Sequence, residues 1–321
     1  MGGLPLQKTR DVAPPAFFQS AEPRMSDGML HGWLVIDKPI GIGSTQVVGA
    51  VKRALREAGL PRHKVGHGGT LDPLASGVLP VALGEATKLA GRMLDATKAY
   101  DFTIRFGEET STLDAEGGVV ATSEVRPSLT QVEAVLPRFT GPIDQVPPAF
   151  SALKVDGRRA YDLARAGEDV VLESRRVTIF QLRPIATTAD TLTLCAKVSK
   201  GTYIRSLARD LALALGTVGH VTTLRRTRAG PFSLDQAISL DFLGEIAKAR
   251  QLDGAVLPLV AGLDDIPALP VSPEEAVLLR QGRQLPRSPA HPGLYLAMDA
   301  GRPVALVEAS DALRVVRGFN L

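Results

Sequence analysis

Residues Gly66–Leu79 read GHGGTLDPLASGVL, with one carboxylate, Asp72, set between a run of glycines and a proline. Its neighbours Leu71, Pro73, Leu74 and Ala75 carry no charge. An Asp-Pro step is ordinarily a helix start, with Asp as the cap and Pro at the first helical position. A cap needs none of the flanking glycines. The other use of an isolated carboxylate is as the sole nucleophile or charge stabiliser in a pocket that excludes water. Other chemistries find less support. Five histidines are scattered without an HExxH-like spacing, and one cysteine, Cys195, excludes a cysteine-rich zinc site. Gly41 and Gly43 form no dinucleotide fingerprint, and no GK[ST] follows them. No metal and no cofactor are expected.

The elements that must position Asp72 are mixed in order. GWLVIDKP (32–39) reads as a strand. Ser44 or Thr45 can cap a helix whose apolar positions are Val47, Val48, Val51 and Leu55. GVLPVALG (77–84) is a buried strand whose Pro80 suggests an edge or a bulge, and EATKLAGRMLDA reads as a helix. In KAYDFTIRFG (98–107) Tyr100, Phe102, Ile104 and Phe106 share one face of a strand. TSTLDAEGG is a turn. A long proline-marked loop runs through PPAFSALKVDGRRAYDLAR, and loops of that length are often functional. Two strands, the helix TYIRSLARDLALALG and the basic strand HVTTLRRTRAGPF follow. Regular βαβ alternation is excluded, so an α+β domain on a mainly antiparallel sheet is expected.

Residues 1–30 contain four prolines and no periodicity, which predicts a disordered tail, with Met25 or Met29 as possible natural starts. A large domain over 31–257 and a small one over 258–321 are expected, the latter a β-barrel with three short strands in 293–319. The 321 residues are 45% hydrophobic and 22% charged, with a net charge of +3. That suits a globular chain with a core and an anionic partner. No signal peptide or membrane-length apolar run is visible, which predicts a cytoplasmic protein. Basic clusters at Lys52, Arg53, Arg56, Arg62 and Lys64, at Arg158 and Arg159, and at Arg225, Arg226 and Arg228 point to RNA when taken with the aromatics.

Five segments in one order, from GWLVIDKPIGIGS through VGHGGTLDPLASGVLPVALGEATK to HVTTLRRTRAGPF, resemble the bacterial TruB family of tRNA pseudouridine-55 synthases over about residues 32–245. The tail segment is similar to that family's C-terminal PUA domain. The resemblance implies a pseudouridine synthase fold plus a PUA-like barrel, acting as a monomer on the T-arm of tRNA without a guide RNA. It implies Asp72 as the catalytic residue and His67 as the residue that holds the flipped RNA. Tyr100 would stack on the target base, Arg205 would pair with the aspartate beside Tyr203, and Leu224 would wall the pocket. Lys38, with Pro39, matches the entry motif, and the resemblance implies that it binds substrate. Many members carry Thr where this chain has Gly68, so a more flexible loop is expected there.

The chemistry implied is consistent with these residue types. An always-charged arginine keeps a partly buried carboxylate ionised. Flipping a base costs on the order of a few kcal/mol, and stacking on an aromatic returns about 1–3 kcal/mol. Glycines would let the backbone approach nucleic acid closely. Three other readings remain open at this point: a guide-dependent synthase acting on another RNA, an RNA-folding chaperone of tRNA, and a glycoside hydrolase. The last needs two carboxylates flanking the bond, and only Asp72 stands out.

Overall fold

The structure, a computed structural model, describes residues 28–151, 153–155, 157–168, 170–286 and 291–321. Most of the tail expected over 1–30 therefore lies outside the described residues.

A ten-stranded mixed sheet organises the chain. Its main strands are β1 (Gly32–Lys38), β2 (Val65–His67), β3 (Ala75–Leu83), β4 (Lys98–Phe106), β5 (Gly141–Gln145), β6 (Arg175–Thr187), β7 (Thr191–Val198) and β8 (Gly219–Ala229). They lie in the order β1-β3-β8-β4-β7-β6-β5, with β2 paired to β3 and Leu257–Pro258 paired outside β1. Every pairing in this sheet is antiparallel except β3 with β8. That parallel contact covers only Ala75–Gly77 against Leu224–Arg226. Beyond it β2 takes over the same edge of β3 at Val81–Leu83. Pro80 falls in the gap between the two partners, where its missing N–H costs no ladder bond. The edge signal of Pro80 is thus satisfied inside the sheet.

Two apolar clusters meet at this discontinuity. One packs α1 (Ser44–Glu57) through Val47, Val51, Ala54 and Leu55 against Leu34, Ile36, Leu79 and Val81. The spacing of those helix positions is a single 3.6-period stripe. The other packs α3 (Ile204–Ala214) through Leu207, Ala208 and Leu211 against Phe102, Ile104 and Leu194. Tyr100 and Leu224 touch both clusters. EATKLAGRMLDA is only partly α-helical: a 3₁₀ segment Gly84–Leu89 precedes α2 (Ala90–Asp95).

The C-terminal unit is a four-stranded sheet with one helix. Three strands in 293–318 appear as expected, and Ala268–Pro270 adds a fourth in parallel. Its Leu296, Leu306 and Phe319 share a cluster with Trp33, Val35 and Phe232 of the large sheet. Lys88 donates to the Gly318 carbonyl, the Asn320 N–H donates to Glu85, and Arg92 pairs with Asp265. The small unit is therefore joined to the 3₁₀–α2 segment by apolar and polar contacts together.

Candidate active site

Asp72 does not cap a helix. Its carbonyl accepts the Ala75 N–H at 3.0 Å, so Asp72–Ala75 is a turn with proline in its second position, leading into β3. Successive residues of the loop are tied down from different elements. The Gly68 N–H donates to Pro80. Arg226 donates to the carbonyls of Gly69 and Thr70 at 3.0 and 3.2 Å. Ser44 Oγ accepts the Leu71 N–H at 2.8 Å and donates to the Leu71 carbonyl at 3.0 Å. Lys38 Nζ and the Gly41 N–H both reach the Pro73 carbonyl. A loop rich in glycine is thus held in one conformation.

This corrects three expectations. Ser44 is not the cap of α1; Gly43 occupies that position, and the Ser44 hydroxyl is spent on Leu71. Lys38 is fully buried and bonds the carbonyls of Pro39, Ile42 and Pro73, so it ties two loops together and does not face RNA. Burial pulls its ammonium down to about 8, against a smaller opposing pull from Asp72. The loop is not loosened at Gly68. That residue is buried, and a Cβ there would stand 2.6 Å from the Cβ of Met93 on α2. The glycine is a close-packing requirement.

In front of the loop stands Arg205, the second residue of α3, with a side chain 8% exposed. Its guanidinium lies 3.0 Å from the Asp72 carboxylate, which is itself 42% exposed. The same group reaches Asp114 at 3.3 Å and donates to the carbonyls of Thr112 and Phe150. The arginine therefore joins the Asp72 turn, the 110–117 turn and the root of the proline-marked loop. Gln145 Oε1 accepts the Tyr203 N–H, and Ser206 donates to the Val146 carbonyl, which seats the start of α3 on that root.

Asp114 was not singled out by its sequence context. Its carboxylate accepts from Thr112 Oγ1 and the Glu116 N–H, and its turn bridges to Val221 on β8. Leu113 just before it has φ 62°, a left-handed backbone rare for leucine and a mark of local strain. Glu116 is pushed upward, first by loss of solvent and then by Asp114 and Asp72. The TSTLDAEG turn thus brings further carboxylates to the neighbourhood of Asp72, a signal no spacing rule in the sequence conveys.

Asp72, Leu74, Ala75, Asp114, Arg205, Val221, Thr222 and Leu224 line one cleft. Its free space of about 10 Å³ holds roughly one water molecule. A pyrimidine ring requires the walls to move. Tyr100 is half-buried on β4, packed against the same two clusters as Leu224. Tyr203 is the N-cap of α3, with Arg175 over its ring at 5.9 Å. His67 ends β2, outside the cleft lining, and its Nδ1 is buried without a hydrogen-bond partner. Burial, then the charge of Arg226, pushes His67 toward its neutral form. A cavity of about 200 Å³ lined by Gly28, Leu30, Ala58, Leu60, Arg250 and Leu252 lies at the far end of α1 and contains none of these residues.

The basic clusters divide. Lys52, Arg53, Arg56, Arg62, Lys64, Arg158, Arg159 and Arg228 are exposed. Arg225 is committed to a two-point contact with Asp37, and Arg226 is buried, so neither is a free phosphate contact as expected.

Residues 53–204 match a family model described as TruB family pseudouridylate synthase (N terminal domain). Residues 205–264 match tRNA pseudouridylate synthase B C-terminal domain. A tRNA pseudouridine synthase B from Novosphingobium aromaticivorans is 62% identical over 299 residues, covering 91% of this chain and 98% of the relative. One from Zymomonas mobilis is 58% identical, covering 91% and 96%. Among solved structures, a Cbf5-Nop10-Gar1 complex superposes with a TM-score of 0.69 at 26% identity, covering 90% of this chain and 85% of its match.

Proposed function

We propose that this chain, which belongs to the TruB family of pseudouridylate synthases, isomerises uridine 55 in the T-loop of tRNA. It is an isomerase that forms pseudouridine in tRNA, as relatives of high identity over nearly their whole length support. The observation that carries the finer reading is the Asp72–Arg205 pair lining one cleft with Leu74, Ala75, Val221 and Leu224. A target base inside folded RNA is out of reach and must be turned outward. Once it is seated, Asp72 is the anion that faces C1′ as the bond to N1 breaks, and the electron pair leaves with the uracil. The ring turns, C5 bonds to C1′, the C5 proton is lost and N1 gains one. No atom is gained or lost overall, so the reaction draws on no co-substrate.

Arg205 holds the carboxylate aimed, because a guanidinium keeps its charge at every working pH. Leu224 with Val221 keeps water off the reacting carbon. Tyr100 stacks on the flipped base, and its hydroxyl relays the C5 proton, passing on its own O–H proton as it takes the one from C5. Tyr203 borders the same base, and His67 supports the displaced nucleotide as a neutral imidazole. Exposed basic residues such as Arg56 and Arg159 contact phosphates, and residues 258–321 serve as an accessory RNA-binding unit. The protein works as a monomer in the cytoplasm, without a guide RNA. The Cbf5-containing complex resembles it in fold, whereas relatives 58% and 62% identical are named for tRNA. The test is pseudouridine mapping of bulk tRNA and of a bare T-arm transcript after incubation with the purified protein. Modification at position 55 of both is expected. Modification elsewhere, or only with added guide RNA, overturns the reading.

A further inference from the structure

Arg226 sits on β8 among the basic residues that the sequence assigns to RNA, yet it is 1% exposed. Its Nε donates to the Val78 carbonyl at 2.7 Å, Nη1 to Thr70 at 3.2 Å and Nη2 to Gly69 at 3.0 Å. Among the described residues no carboxylate pairs with it. Burying a guanidinium without an acid is costly, and only well-placed acceptors offset the cost. Here all three acceptors are backbone, and two belong to the loop that ends in Asp72.

The surrounding glycines fit this arginine. Gly69 holds φ +129°, and a Cβ there would lie 3.6 Å from Nη1. Gly77 on β3 holds φ +101°, and a Cβ there would lie 2.1 Å from the Arg226 carbonyl oxygen. Both positions are in the short parallel contact of β3 with β8 or in the loop it feeds. Gly77 therefore admits the close approach of the β8 backbone at Arg226, and Gly69 holds a positive φ beside its guanidinium, both in the interior.

We propose that Arg226 is a positioning residue for Asp72: its three-pronged grip on Gly69, Thr70 and Val78 holds the Asp72 turn where its carboxylate meets Arg205. It contacts no substrate, since its side chain is sealed from solvent. Its charge also reaches His67, Lys38 and Lys98, and disfavours their protonated forms. This inference rests on the reading of Asp72 given above.

The test compares wild type with Arg226→Lys and Arg226→Met on a tRNA substrate. Lysine keeps the charge but is a single compact ammonium, which cannot reproduce the planar fork. A drop in kcat of about thirtyfold for Arg226→Lys and more for Arg226→Met is expected, since a misplaced reacting group alone costs about a hundredfold. KM and tRNA affinity should stay within about threefold, because phosphate contacts elsewhere set binding. NMR titration of His67 adds a readout that a general loss of stability does not move. The imidazole should titrate higher in Arg226→Met than in wild type and stay near wild type in Arg226→Lys. If Arg226→Met does not fold, Arg226→Lys decides. Full kcat in Arg226→Lys overturns the proposal, as does a loss of affinity and salt dependence at constant kcat, which marks an RNA contact. If wild type makes no pseudouridine at all, the functional reading fails. The His67 titration still tests whether a charged Arg226 sits beside the loop.

Discussion

Two buried arginines hold the Asp72 loop, one at its carboxylate and one along the backbone that precedes it, and their surroundings differ in kind. Arg205 meets two carboxylates and two carbonyls. Arg226 meets three carbonyls and, among the described residues, no acid. At the carboxylate, charge is matched with charge, so the arginine governs where negative charge is stable. Along the backbone, a cation is matched only with backbone dipoles, so it governs where the chain runs. The contrast separates electrostatics from geometry within one loop. Removing Arg205 leaves anions uncompensated, whereas altering Arg226 moves the anion without changing its partner.

The largest expected effect comes from removing the anion itself. Asp72→Asn keeps the shape of the side chain and should leave no detectable product, while tRNA affinity stays within about threefold because binding rests on phosphates and stacking. Tritium release from 5-³H-uridine tRNA alongside filter binding at several salt concentrations measures both. Turnover within about tenfold of wild type, a loss of only about 1.4 kcal/mol in barrier, would place the chemistry elsewhere.

Arg205→Met should come next, with turnover down at least about a hundredfold. It also leaves Asp114 buried beside no cation, at a cost on the order of 3 kcal/mol. Denaturant unfolding therefore shows a loss of stability that Asp72→Asn does not, since Asp72 is partly exposed.

Asp114→Asn sharpens the comparison. An amide oxygen keeps the bonds from Thr112 and the Glu116 N–H, while the ion pair to Arg205 is lost. Turnover should fall by about ten- to a hundredfold, through a less well aimed arginine. A single-turnover rate as low as that of Asp72→Asn would make Asp114 a participant in bond breaking.

The smallest effect belongs to the packing at Gly68. Gly68→Ala sets a Cβ against that of Met93, and such overpacking costs about 1–3 kcal/mol. Turnover should fall by no more than about tenfold. In a double-mutant cycle by thermal unfolding, Met93→Gly should recover part of the loss despite its own helix penalty. Additive losses would show that Gly68 is required for some other reason.

Much of the site was legible in the residues. The lone Asp72 in a glycine-rich stretch, the apolar face of β4 and the amphipathic pattern of α3 each follow from local chemistry or period. The family resemblance supplied the pairing with Arg205, and the two side chains do meet. What failed to show were partners chosen across distance. Ser44 stands 27 residues before Leu71, and Gln145 stands 58 before Tyr203, so no spacing rule links them. Asp114 looked like one more polar residue of a turn until that turn docked on β8.

By itself the sequence determined which segments pair with water and which do not, and so the strands, the helices and the identity of the one carboxylate set among uncharged neighbours. Periodicity and residue chemistry are local properties that a linear chain displays openly. Only the tertiary structure decided which of three neighbouring arginines faces solvent. Arg225 reaches an acid, Arg226 turns into the loop and Arg228 stays exposed, although all three stand within four residues. The reason is the short parallel contact of β3 with β8. It brings the carbonyls of a distant loop within reach of one guanidinium, and burial there is tolerable only because those acceptors are already in place.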